Sequence, residues 1–218
     1  MDESLRRHTD LLAERYPVLK DCVADVIRAY DVLETCFSSG HKLLIAGNGG
    51  SCADAEHIVG ELMKGFKRKR KCGETFANKL KAVDGIRGAE LADKLQGGLP
   101  ALALNSHPGL QTAFINDVPD GGLFTFAQQV YGYGEAGDVF LGVSTSGNAQ
   151  NVMNAAVVAR ALGMKVVGLT GEVGGDLATF ADVAVKAPAN ETYVVQELHL
   201  PIYHCLCLML EERFFPER

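Results

Sequence analysis

The chain has 218 residues, 47% of them hydrophobic, with a formal net charge of −6 and six cysteines. It is too long for a disulfide-stapled mini-protein, and apolar enough to bury about 70–75% of its unfolded surface in a real core. The acidic balance argues against a general nucleic-acid binder. The polar start Met-Asp-Glu-Ser-Leu-Arg-Arg has no signal-peptide core, and no run of about 18 apolar residues predicts a membrane span.

Residues 2–15 read as a short polar helix ended by Tyr16-Pro17. A longer helix follows, with Leu19, Cys22, Val23, Val26, Ile27, Tyr30, Leu33 and Phe37 spaced as one apolar stripe and Gly40 as its left-handed stop. It lies outside any strand–helix alternation, which suits a helix packed against a partner subunit.

From residue 41 the rhythm changes. Short apolar strands are predicted at 42–46, 100–105, 138–143, 165–169 and 181–186. Helices are predicted after the first strand's glycine loop and near 121–133, 148–162 and 174–180, and a long terminal helix at 191–213. Continuous apolar strands alternating with helices describe a parallel sheet covered on both faces. The chain is therefore expected to be one α/β domain over residues 1–218.

Residues 66–99 break the pattern. They hold the run Lys67-Arg68-Lys69-Arg70-Lys71, several glycines and only a weak helical phase around 76–95. Residues 64–100 carry ten Lys/Arg against four Asp/Glu, a local +6 that leaves −12 on the rest. The segment reads as an insertion or long crossover. A charge run is usually a solvated loop. The sharper reading is a lid carrying positive charge to an anionic substrate. Nucleic acid comes third, because no aromatics interleave with the basic residues.

The cysteines (Cys22, Cys36, Cys52, Cys72, Cys205 and Cys207) include no Cys-x-x-Cys pair. They read as reduced, mostly buried thiols in a cytoplasmic protein. Cys205 and Cys207 lie two apart on a helix and point about 200° apart, so they are a poor metal pair.

In an open parallel sheet, ligands bind at the carboxyl ends of the strands. One loop there is Gly47-Asn48-Gly49-Gly50-Ser51. It is not the dinucleotide fingerprint, since Cys52 occupies the third glycine's place, and no Gly-Lys-Ser/Thr follows to make a P-loop. A second loop, Ser144-Thr145-Ser146-Gly147-Asn148, offers three hydroxyls at a helix N-terminus, an anion cradle without a cation. Ordinary capping needs only one such residue. After the first loop, His57 and Glu61 share a helix face, which by default is a solvated i,i+4 pair. On the terminal helix, Gln196 and His204 lie about 80° apart and Glu197 and His204 about 20° apart, while His199 projects elsewhere. Leu200, Ile202, Leu206, Leu208 and Leu210 make that helix largely buried, and buried polar groups need partners or a task.

These motifs, together with Asn116-Asp117, resemble the phosphoheptose isomerases (sedoheptulose 7-phosphate isomerases) of the SIS-domain, or sugar isomerase, family. The signatures fall in the right order from about residue 41 to 213. The resemblance implies a three-layer sandwich around a five-stranded parallel sheet. It also implies a homotetramer with sites between subunits, the N-terminal helices and the long C-terminal helix lying at the interface. One zinc ion per subunit would be held by His57, Glu61, Gln196 and His204. A sugar-phosphate substrate would touch Asn48, Gly49, Gly50, Ser51, Asn116, Asp117, Gln196 and the cradle Ser144, Thr145 and Ser146. Glu61 and His204 would be the acid and base of an aldose–ketose isomerisation through an enediol.

Three positions depart from the family pattern: Tyr193 where Asp is expected, Gly65 where Arg is expected, and Ala149 where a third serine-type contact is usual. The 66–99 region is also longer than the family's direct connection. Two non-enzymatic relatives compete with the isomerase reading: a protein that binds the DnaA replication initiator, and a phosphosugar sensor. Neither needs the acid–base pair Glu61 and His204, which this sequence keeps.

Overall fold

The computed structural model describes residues 3–216. Five strands form one sheet in the order β2-β1-β3-β4-β5: β1 (Leu43–Gly47), β2 (Ala101–Ala103), β3 (Val139–Val143), β4 (Lys165–Thr170) and β5 (Val183–Lys186). Every pairing is parallel. The two central strands β1 and β3 are buried at every position, as the unbroken apolar runs require for a sheet covered on both sides.

Successive side chains alternate between the two faces. Leu43, Ile45, Leu141, Val167 and Leu169 point into one core, filled by α1 (Glu3–Arg15), α2 (Val23–Ser38), α3 (Gly50–Met63) and α10 (Thr192–Phe214). Leu44, Ala46, Phe140 and Val166 point into a second, filled by α7 (Thr125–Tyr133), α8 (Gln150–Ala161) and α9 (Gly175–Phe180). This is the three-layer α/β sandwich expected from the sequence. No helix among the described residues is long and apolar enough to cross a membrane.

The differences are local. The second predicted helix begins as a 3-10 turn over Pro17–Cys22, with the proline at the first helical position, where its missing N–H costs nothing. The helix expected at 121–133 likewise splits into a 3-10 turn (Gly121–Leu123) and α7. Helix α6 (Pro108–Asp117) had no predicted counterpart, and it buries no residue. The weak helical phase of 76–95 resolves into two helices, α4 (Glu74–Val83) and α5 (Gly85–Lys94), folded on each other as a hairpin. Asp84 caps the second of them, accepting from the amides of Ile86 and Arg87.

Candidate active site

The register of β1 on β3 sets Gly47 beside Val143, so the glycine loop and the serine loop leave adjacent strand ends. Gly49 has φ +56, which a residue with a side chain rarely adopts. Two contacts brace the glycine loop. Asn105 donates from Nδ2 to the Gly47 carbonyl at 2.8 Å. Asn48 and Asn151, at the start of α8, exchange a reciprocal amide pair at 2.9 Å each way. Asn151 thus joins the site although its motif position gave no signal.

In the serine loop Ser144 is buried, Thr145 is half-buried and Ser146 is exposed. The Ser146 hydroxyl accepts from the Asn148 amide at 3.2 Å. Ala149 takes the N-cap position of α8 and makes no side-chain cap, which leaves that helix end to the loop. Asn116 and Asp117 stand exposed at the end of α6, with the Asn116 amide donating to Asp117 at 2.9 Å.

Helices α3 and α10 lie side by side. A Cβ on Gly50 would come within 2.6 Å of the Gln196 amide nitrogen, and the Tyr203 hydroxyl lies 3.0 Å from His57 Nδ1. Both pairs have the same sequence separation, so the two helices run in register. His57, Glu61 and His204 converge at one level: His57 Nε2 is 3.1 Å from Glu61 Oε1 and 3.5 Å from His204 Nε2. Gln196 packs at Gly50, seven residues earlier on α3, about 10 Å along the helix. Ser51 is buried in the first turn of the same helix.

Two residues at this level escaped the sequence reading. The Tyr203 hydroxyl lies 3.3 Å from Asp54 Oδ1. With Asp54 ionised, Tyr203 donates to it and its oxygen accepts from His57 Nδ1–H. His57 Nε2 faces the Glu61 carboxylate at hydrogen-bond distance, 3.1 Å, with His204 Nε2 beyond at 3.5 Å. Two imidazoles and a carboxylate are zinc-type donors. They stand in a row through His57, and among the described residues no group of three or more His, Cys, Asp or Glu side chains is placed to hold a metal ion.

Burial, reinforced by the neighbouring His57, lowers the His204 pKa, partly opposed by Glu61. His204 therefore sits on the neutral side at neutral pH, as a proton acceptor must. His199 belongs elsewhere. It is fully buried, its Nε2 lies 3.2 Å from the Thr170 carbonyl, and desolvation pulls its pKa down to about 4. It is a neutral core histidine.

The basic run divides by role. Lys67, Lys69 and Lys71 are exposed, while Arg70 is buried. Arg68 pairs with Glu212. Lys64 reaches back to Glu61 Oε2 at 3.5 Å. Gly65 is explained by the turn into the insertion: a Cβ there would overlap the Arg68 carbonyl. The family's arginine has no room once the chain folds back at this point.

The SIS domain family pattern matches residues 87–171. A phosphoheptose isomerase of Geotalea daltonii is 38% identical over 188 residues, spanning 86% of this chain and 83% of that protein. The chain belongs to the phosphoheptose isomerase family. Its fold agrees with that of two solved members. The phosphoheptose isomerase of Neisseria gonorrhoeae is 32% identical with a TM-score of 0.67, covering 94% of this chain and 92% of that one. The one of Francisella tularensis is 28% identical with a TM-score of 0.69, covering 96% and 94%.

Proposed function

We propose that the protein is a phosphosugar aldose–ketose isomerase of the phosphoheptose type, working in the cytoplasm as a homotetramer. The convergence of His57, Glu61 and His204 within 3.1–3.5 Å carries this reading. Aldose–ketose isomerisation moves a proton between C1 and C2 through an enediol, and it needs a base, an acid and a polarised carbonyl. Glu61 and His204 are the proton-transfer pair. Glu61 has a side chain only 13% exposed, which keeps bulk water from competing with the substrate for its proton. His204, neutral by burial, accepts or returns the second proton. His57 is held by Tyr203 and orients Glu61.

Zinc, held by His57, Glu61 and His204, would polarise the carbonyl or orient the substrate hydroxyls, whereas Gln196, which the family resemblance adds as a ligand, is seated at Gly50 about 10 Å along α3 and stands apart from these three. The serine loop receives the phosphate, and together with Asn48, Gly49 and Gly50 fixes the reacting carbons relative to α3. Asn116 and Asp117 are assigned to substrate through the family pattern. A protein that only bound the replication initiator or sensed phosphosugars would have no use for the acid–base pair.

The test is interconversion of sedoheptulose 7-phosphate and its aldose, followed by NMR for the wild type, Glu61→Gln and His204→Ala. The wild type turns over, and each variant loses about 10²–10⁴-fold in kcat. A wild type inert toward C5 to C7 sugar phosphates, or activity surviving both changes, overturns the reading. Metal analysis of the same preparation decides the zinc assignment.

A further inference from the structure

The first residues of the insertion are built into the scaffold behind the site. Arg70 is 2% exposed, and its guanidinium makes three hydrogen bonds. Nη1 donates to the Leu62 carbonyl at 2.7 Å and Nη2 to the Glu61 carbonyl at 2.9 Å. Both carbonyls belong to the last turn of α3, which has no later turn to bond them. Nε donates to Glu211 Oε1 at 2.9 Å. The guanidinium also stacks over the Phe215 ring, 4.6 Å from its centroid.

Glu211 completes the other side. Its carboxylate accepts from the backbone amides of Phe66 and Lys67 at 2.9 Å and of Arg68 at 3.3 Å. It lies two helical turns beyond His204, so the two share a face of α10. The amide held by Glu211 belongs to Phe66, whose ring rests on the His204 imidazole with centroids 5.3 Å apart and planes tilted by 49°. One buried ion pair therefore touches the backbone of Glu61 directly and sets the wall against His204.

We propose that Arg70 and Glu211, with Phe66, are positioning residues that clamp α3 to α10 and fix the Glu61–His204 geometry. The proposal rests on the isomerase reading only for its kinetic consequence. A planar guanidinium serves two carbonyls and a carboxylate at once, which an ammonium cannot do. Arg70→Lys keeps the charge opposite Glu211 and loses the fork. Phe66→Leu keeps an apolar filler and loses the flat contact with His204.

The experiment compares wild type, Arg70→Lys and Phe66→Leu, each verified as folded at the assay temperature by circular dichroism. A displacement of order 1 Å at a reacting group costs up to about 10²-fold. In Arg70→Lys kcat is expected to drop about 10–100-fold, while KM for the sugar phosphate stays within about twofold because the serine loop is untouched. Phe66→Leu shows a smaller loss of the same kind. Wild-type kcat in a folded Arg70→Lys overturns the clamp, since a purely stabilising role predicts that result. A second readout needs no turnover. The His204 ring-proton resonance, displaced by the Phe66 ring current in the wild type, moves toward its value in Phe66→Leu when Arg70 becomes Lys. If it stays put, the clamp is wrong even when the wild type shows no isomerase activity, an outcome that would sink the functional reading alone.

Discussion

The sandwich and the α4–α5 hairpin hold together differently. The central strands are buried at every position. In the hairpin only Gly88 is buried, because a Cβ there would overlap the Leu80 carbonyl where the two helices cross. Val83 and Ile86 at its tip are 88% and 86% exposed. The hairpin is attached through its feet instead. Lys71 and Gln96 form an antiparallel bridge, the Gly97 amide donates to the Arg70 carbonyl at 2.9 Å, and Gln96 accepts from the Gly65 amide at 2.8 Å. Apolar burial holds the body, and a few polar contacts hold the arm. The arm's tip can change without disturbing the site, whereas its feet cannot.

A core deletion in the body tests the first half of that contrast. Phe140 has no exposed surface and fills the core between the sheet, α7 and α8. Phe140→Ala is expected to cost about 3–5 kcal/mol, from lost transfer energy and the cavity left behind. Urea denaturation monitored by circular dichroism measures it, and a loss under about 1 kcal/mol would show that this layer is not the body's main support.

Acid is the next probe, and it too should act on the body. His199 has its folded pKa pulled down to about 4 by burial, below the ordinary value of about 6.5. The unfolded chain therefore takes the proton first. Stability from keeping His199 neutral is complete above about pH 6.5 and is lost as pH falls toward 4, by at most about 3 kcal/mol. His199→Met should flatten that part of the stability–pH curve relative to wild type. The Thr170 carbonyl it leaves still accepts from the Ala187 amide at 2.8 Å, so the substitution does not strand a buried acceptor. An unchanged curve would mean that His199 does not titrate on unfolding. The carboxylates of the hairpin behave differently. Asp84 has its pKa lowered by hydrogen bonds from Arg87, but its half-exposed side chain is screened by water and has little leverage on folding.

The same contrast explains what the sequence could reveal. Strands 43–47 and 139–143 were visible because a sheet covered on both faces needs unbroken apolar runs. Helix α6 was not, since it buries nothing and so has no apolar face to repeat. In the site, the i,i+4 spacing put His57 and Glu61 on one helix face, and only the family resemblance set them apart from an ordinary solvated pair. Asp54 and Tyr203 depend on how α3 sits against α10, 149 residues apart in sequence, and no local pattern encodes that register. Gly65 looked like a departure from the family until the turn at Arg68 showed that a side chain had no room. The basic run misled in one position: of five adjacent charges, a composition argument cannot tell that Arg70 is the buried one.

The smallest expected effect is at the hairpin tip, and it is the cleanest test of the contrast. Val83 and Ile86 are large apolar side chains that in this chain lie almost wholly in water. Replacing both with Ser removes little buried surface, creates no cavity and touches no cap, since the Asp84 side chain that accepts from the Ile86 and Arg87 amides remains. Stability should change by no more than about 0.5 kcal/mol, and kcat and KM should match wild type. A loss comparable to that of Phe140→Ala would require these residues to be covered in the assembled protein. The polar feet would then not be the only attachment of the arm, and its apolar face would belong to the same support system as the sheet.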